Sequence, residues 1–145
     1  MSLASADLES ADFQGTELNY AYLSYANLYR ANSKDTQMIK AELIGSDLRR
    51  AILINAVMRS ANLENANLRD ADLTNAYLQV AKLIDTNLSG AILVDADLTR
   101  STLWGANLKD ADLTGANLTD AFVTWKQLRS ARSLKGIKMS RYTEW

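Results

Sequence analysis

Apolar residues recur at every fifth position from residue 8 to residue 123, and a small residue precedes each of them by two places. Written in fives from Ala6, the chain reads ADLES, ADFQG, TELNY, AYLSY, ANLYR and continues without a gap to AFVTW at 121–125, which makes 24 units. The third place is Leu in 19 of the 24, with Phe13, Met38, Met58 and Val123 as apolar variants and Ser33 as the single polar one. The first place is Ala in 19; Thr16, Thr36, Ser46, Thr86 and Ser101 fill the rest. A chance register does not hold through so many units, so the repeat governs the fold.

A period of five fits neither the 3.6 of an α-helix nor the uninterrupted 2 of a long strand. It fits a very short extended piece followed by a turn. In an extended piece the first and third places face the same way, and the residue between them faces out. The last two residues then turn a corner, and Gly15, Gly45, Gly90, Gly105 and Gly115 all occupy the fifth place, as turn chemistry asks. Each unit becomes one side of a polygon with Leu and a small residue inside. Stacked coils pair their backbones at roughly 4.8 Å.

Units such as ADLES, ANLEN, ANLRD, ADLTN, ANLKD and ANLTD resemble the pentapeptide repeat proteins, whose consensus is A(D/N)LXX. The resemblance covers about five-sixths of the chain, in the style of the small helix-capped members common in cyanobacteria. It implies an all-β solenoid, a right-handed quadrilateral β-helix with four units per coil. Residues 6–125 then make about six four-sided coils, a rod roughly 29 Å tall. Residues 1–5 are expected to be a lead-in, and 126–145 a helical cap and tail.

Stacking every twentieth residue sets Ser33 between Phe13 and Leu53. The ring beside the short side chain reads as volume compensation in a close-packed core; the alternative is a small internal polar site. A solenoid end exposes ladder groups, so caps are expected. Beyond Val123 the pattern turns helical: Thr124 and Gln127 form a T-x-x-Q capping box, and Trp125, Leu128, Ala131 and Leu134 recur at helical spacing before Gly136. The spacing predicts a helix over 125–135 that lays Trp125, Leu128 and Leu134 across the last coil. No such device precedes residue 6, which leaves that end frayed, paired with another copy, or trimmed from a longer chain.

Composition removes several chemistries. The 145 residues include no Cys and no His, which excludes disulfides, Cys/His zinc sites, thiol nucleophiles and His-based acid–base catalysis. Paired carboxylates occur at Asp70 and Asp72, Asp95 and Asp97, and Asp110 and Asp112. A loopless rod filled with Leu offers them no pocket to perturb their pKa values, so no catalytic residue, cofactor or metal site is expected. No run of 18 apolar residues and no signal-peptide pattern is present, so the expected address is cytoplasmic, without membrane insertion.

Charge is uneven. Residues 1–29 carry Asp7, Glu9, Asp12 and Glu17 and a single base, Arg30, follows only at their border; residues 126–145 carry six bases against Glu144. The axial dipole suits either a monomer with a basic solvated cap or end-to-end association. One outward corner stacks Arg30, Arg49, Arg50 and Arg69, a cluster suited to acidic proteins or phosphates. A formal net charge of −1 argues against a general nucleic-acid binder. Outward apolar residues gather as Ile52, Ile54, Ile92 and Val94 on one face, as Val57, Tyr77 and Val80 on the next, and as Tyr22, Tyr25, Ile44, Ile84 and Trp104 on a third. So much exposed apolar surface on a small rod points to protein contact.

The expected function is a non-catalytic interaction scaffold that presents rigid lateral faces to a protein partner. The resemblance also offers a second reading, the quinolone-resistance type: DNA mimics that bind type II topoisomerase. Mimicry needs a long, strongly negative surface, whereas residues 1–125 carry 16 acids and 10 bases, with the arginines concentrated on one face. A third reading is an architectural spacer that stacks end to end.

Overall fold

A computed structural model describes residues 1–140. The chain winds as a stack of four-sided coils, and each parallel bridge from Ser2 with Tyr22 to Thr102 with Phe122 joins residues twenty apart. Each side contributes one bridged residue and turns at once, so among the described residues two-residue strands form only at β1 (Asn117–Leu118) and β2 (Lys138–Met139), which pair in parallel. Residues 1–5 already follow the same geometry: Ser2 bridges Tyr22, and the Leu3 amide donates to Tyr22 O at 2.7 Å.

First-place and third-place side chains fill the interior from Leu18 to Val123. Leu53, Leu73 and Leu93 share one column with Phe13 and Ser33, and Ser33 is buried beside the half-buried phenylalanine. Polar residues in the core are bonded rather than stranded. The Thr36 hydroxyl donates to Phe13 O at 2.8 Å, Thr86 to Leu63 O at 2.7 Å, and Ser46 to Leu43 O at 2.7 Å. Such bonds remove the desolvation cost of a buried hydroxyl.

The second-place Asp or Asn has a job that the repeat pattern alone does not disclose. Its Oδ1 accepts from the amide two residues on, as in Asp72 to Thr74 at 3.0 Å and Asn107 to Lys109 at 3.1 Å. That amide points out at the corner, away from the stacking ladder, and the side chain satisfies it locally.

The turn also imposes a left-handed backbone at the fifth place, where φ lies between +53° and +71° from Ser5 to Asp120. Gly, Asn and Asp tolerate this conformation. Val80 (φ +60°) is a β-branched residue held where such residues are genuine outliers, and it is exposed. Val80→Asn is therefore expected to stabilise the protein by about 1 kcal/mol, read as a raised denaturant midpoint with an unchanged slope. No gain would mean that Val80 contacts offset the backbone strain.

The C-terminal helix differs from the eleven-residue expectation. α1 spans Trp125–Leu128, a single turn with Thr124 as N-cap: the Gln127 amide donates to Thr124 Oγ1 at 3.2 Å, and the Thr124 amide to Gln127 Oε1 at 2.9 Å. Beyond it the solenoid resumes with one extra residue, pairing Asp112 with Ser133 and Asn117 with Lys138. Ladder bonds such as Arg132 N–H to Ala111 O, at 2.8 Å, satisfy backbone groups that a longer helix would have drawn away from the coil beneath. Leu128 is fully buried and Leu134 half-buried, as a cap requires, but Trp125 is exposed instead of lying across the coil. Arg141 and Glu144, counted in the charge of this end, lie outside the described residues.

Candidate interaction surfaces

Twenty-residue stacking brings Tyr29, Arg49, Arg50, Arg69 and Asp70 together around a shallow cleft of about 230 Å³. The Asp47 carboxylate takes Arg49 in a two-pronged contact, Nε to Oδ1 at 2.8 Å and Nη2 to Oδ2 at 2.6 Å. That hydrogen-bonded guanidinium holds the Asp47 carboxyl below the usual carboxylate range. Arg69 Nε lies 3.4 Å from Asp70 Oδ2. The guanidiniums of Arg30 and Arg49 sit over the Tyr29 ring, 5.1 and 5.4 Å from its centroid. Arg30 and Arg50 have no carboxylate partner among the described residues. The corner thus carries four guanidiniums against two carboxylates.

The apolar residues are arranged less simply than their shared face suggests. Ile52 bridges Asp72, which in turn bridges Ile92, and the hydroxyl of Thr74 donates to Asp72 Oδ1 at 2.6 Å. Polar Asp72 and Thr74 therefore separate the Ile52 and Ile54 pair from the Ile92 and Val94 pair. Ile52 and Ile54 instead continue directly from Arg49 and Arg50 along the same coil. On the next side Val57 does meet Tyr77, with the Arg59 guanidinium 5.6 Å from the Tyr77 ring centroid.

One aromatic group was missed as a unit. Trp104 meets Phe122 edge to face, centroids 5.7 Å apart, and both rings are exposed, as is Trp125. Phe122 stands twenty residues beyond Thr102, beside Trp104, so the stacking period could have found this contact.

The corner carboxylates serve the turns. Asp97 accepts from the Thr99 hydroxyl at 2.5 Å and amide at 3.0 Å, and Asp112 from the same groups of Thr114 at 2.6 and 3.0 Å. Partial burial pushes Asp97 upward, but the Thr99 and Gln79 hydrogen bonds together outweigh it and lower the carboxyl; the Thr114 bonds, then Arg132, lower Asp112. A depressed carboxyl contributes stability above its unfolded pKa near 3.9 and loses it as pH falls through the folded value. Thermal stability is therefore expected to be flat from about pH 7 to 5 and to fall below about pH 4. Melting curves of the Thr99→Val/Thr114→Val double variant are expected to show a shallower acid limb; an unchanged limb would place the acid sensitivity elsewhere. Among the described residues no group of His, Cys, Asp and Glu is placed to hold a metal ion, and no helix is long and apolar enough to cross a membrane.

The family model for pentapeptide repeats (8 copies) matches residues 2–32, 16–53, 41–79, 51–90 and 91–125. Among solved structures, HetL, a pentapeptide repeat protein involved in heterocyst differentiation regulation in the cyanobacterium Nostoc sp. PCC 7120, is 28% identical over 94% of this chain and 73% of its own, with a TM-score of 0.53. Rfr23, a pentapeptide repeat protein from the cyanobacterium Cyanothece 51142, is 32% identical over 86% of this chain and 63% of its own, with a TM-score of 0.33. QnrB1, a plasmid-mediated fluoroquinolone resistance protein, is 18% identical over 97% of this chain and 80% of its own, with a TM-score of 0.44. No curated protein matches the sequence. The repeat, its coil geometry, the family match and the likeness to HetL agree: the chain is a right-handed quadrilateral β-helix and belongs to the pentapeptide repeat family.

Proposed function

We propose that the protein is a non-catalytic cytoplasmic scaffold whose arginine corner grips an acidic surface of a protein partner. The observation that carries this reading is the cleft lined by Arg49, Arg50 and Arg69, with Arg30 beside it on the Tyr29 ring and neither Arg30 nor Arg50 paired with a carboxylate among the described residues. A rigid ladder holds these side chains at fixed spacing, which lowers the ordering cost of a multi-point contact. Ile52 and Ile54 supply adjoining apolar area, so the corner combines charged recognition with an anchor. Exposed Tyr77 and strained Val80 extend the contact surface onto another side. A DNA-mimicking surface would need unbroken negative charge, and guanidiniums occupy this corner instead.

The test is capture of partners from source-cell lysate by the intact protein and by a variant with glutamate at residues 30, 49, 50 and 69. A prey retained at low salt by the first, weakened by salt and lost with the equally folded variant, supports the corner as the binding surface. Equal capture by both proteins would remove the corner from partner recognition.

A further inference from the structure

The stacking ladder breaks at one interior corner. Elsewhere, third-place and fifth-place amides donate to carbonyls of the following coil, as Leu88 does to Asn107 O and Gly90 to Lys109 O, both at 2.9 Å. On the last full coil Leu103 donates to Phe122 O at 2.8 Å and Asp110 to Ser130 O at 2.9 Å. Between these two bonds α1 takes the chain out of ladder register, and the amides of Gly105 and Leu108 have no acceptor among the described residues. The intervening carbonyl is occupied: Gln127 Nε2 donates to Ala106 O at 2.9 Å, and to Leu103 O at 2.6 Å. The result is a groove of about 410 Å³, with Gly105–Leu108 as one wall and Thr124, Lys126, Gln127 and Ser130 as the other. The two open amides belong to the coil wall, not to the turn of helix above it.

We propose that this groove docks an acidic peptide segment of a protein partner, with a carboxylate accepting from the Gly105 and Leu108 amides beside the Lys126 ammonium. Three observations select that occupant. The wall offers backbone donors while Gln127 has already taken its acceptor, so an added β-strand, which needs both, would be poorly matched. Residues 126–140 carry five bases and no acid, which complements a negative segment. Exposed Trp104 and Trp125 adjoin the two walls in sequence and provide the aromatic anchors typical of peptide contacts. Asp85 packs against Gly105 from the preceding coil and is not part of the groove lining. The site is independent of the arginine corner.

Amide exchange followed by NMR on the full chain tests the proposal. The probes are an acetylated hexapeptide alternating glutamate with leucine and the same peptide with glutamine. In the free protein the Gly105 and Leu108 amides are expected to exchange roughly 100-fold faster than those of Gly90 and Leu88. The glutamate peptide is expected to slow both, and Lys126→Glu, an exposed change, to weaken its binding about tenfold. The arginine-corner variant is expected to bind it unchanged. The proposal is overturned if these amides are already protected without peptide, if the glutamine peptide protects them equally, or if the shifts are confined to the arginine corner. Equal protection by acetate at the same concentration would reduce the site to a small-anion contact and overturn peptide docking.

Discussion

Leu73→Ala is expected to destabilise the protein by about 3–5 kcal/mol, more than any exposed substitution. Leu73 is 1% exposed and stacks between Leu53 and Leu93 in the central column. Neither neighbour can shift to fill the space, because each is fixed by its own coil's bonds, so the cavity remains. The cost also spreads, since each coil of a solenoid is held only by the coils beside it. Guanidinium unfolding measures the loss, and Leu3→Ala, at the half-buried N-terminal end of its own column, is expected to cost much less. Equal losses at the two positions would show that burial depth does not set core stability in this rod.

The second large effect is expected from Gln127→Ala, at about 2–3 kcal/mol. One side chain performs three tasks: its Oε1 accepts from the Thr124 amide, while its Nε2 donates to Leu103 O and Ala106 O. Truncation removes the reciprocal half of the capping box, leaves Ala106 O without a donor and leaves Leu103 O with the Ala106 amide alone. The loss is local, so amides of the last coil are expected to lose exchange protection before those of the middle of the rod. Gln127→Glu separates the tasks, because a carboxylate still accepts from Thr124 but cannot donate to the two carbonyls. If the glutamate variant keeps full stability, the ladder contacts contribute nothing and the cap alone matters.

Much of this architecture was legible because it depends on residues five and twenty apart. Small and apolar places alternate through the repeat, and that alternation carried the coil and its core, including the Phe13 and Ser33 pairing. Thr124 and Gln127 announced the N-cap through a four-residue pattern. The length of α1 was not legible, since the apolar spacing of Trp125, Leu128 and Leu134 suits a helix and a displaced coil equally well. Ladder hydrogen bonds to Ala111 and Ala116 decide for the coil, and they depend on residues some twenty positions away. The candidate site was legible in part. The twenty-residue stacking anticipated that Arg49, Arg50 and Arg69 come together, with Arg30 on the neighbouring Tyr29 ring, but Asp72 and Thr74 interrupt the supposed isoleucine and valine patch. The groove at Gly105 and Leu108 was invisible because it consists of bonds that are not made.

The uniform repeat gives insertions a rotational phase. Adding five residues within the coils would turn everything downstream by a quarter revolution, leaving each side closed but scattering any patch that spans coils. Adding twenty would restore the phase and lengthen the rod by roughly 4.8 Å. The arginine corner and the C-terminal groove could then be moved apart in fixed steps along one axis, each keeping its own orientation. The single extra residue absorbed at α1 is the exception, a one-residue slip between one coil and the next. It lets the chain leave the five-residue rule for one helical turn and re-enter it with the next two sides, at Ser133 and Lys138, paired to the coil beneath.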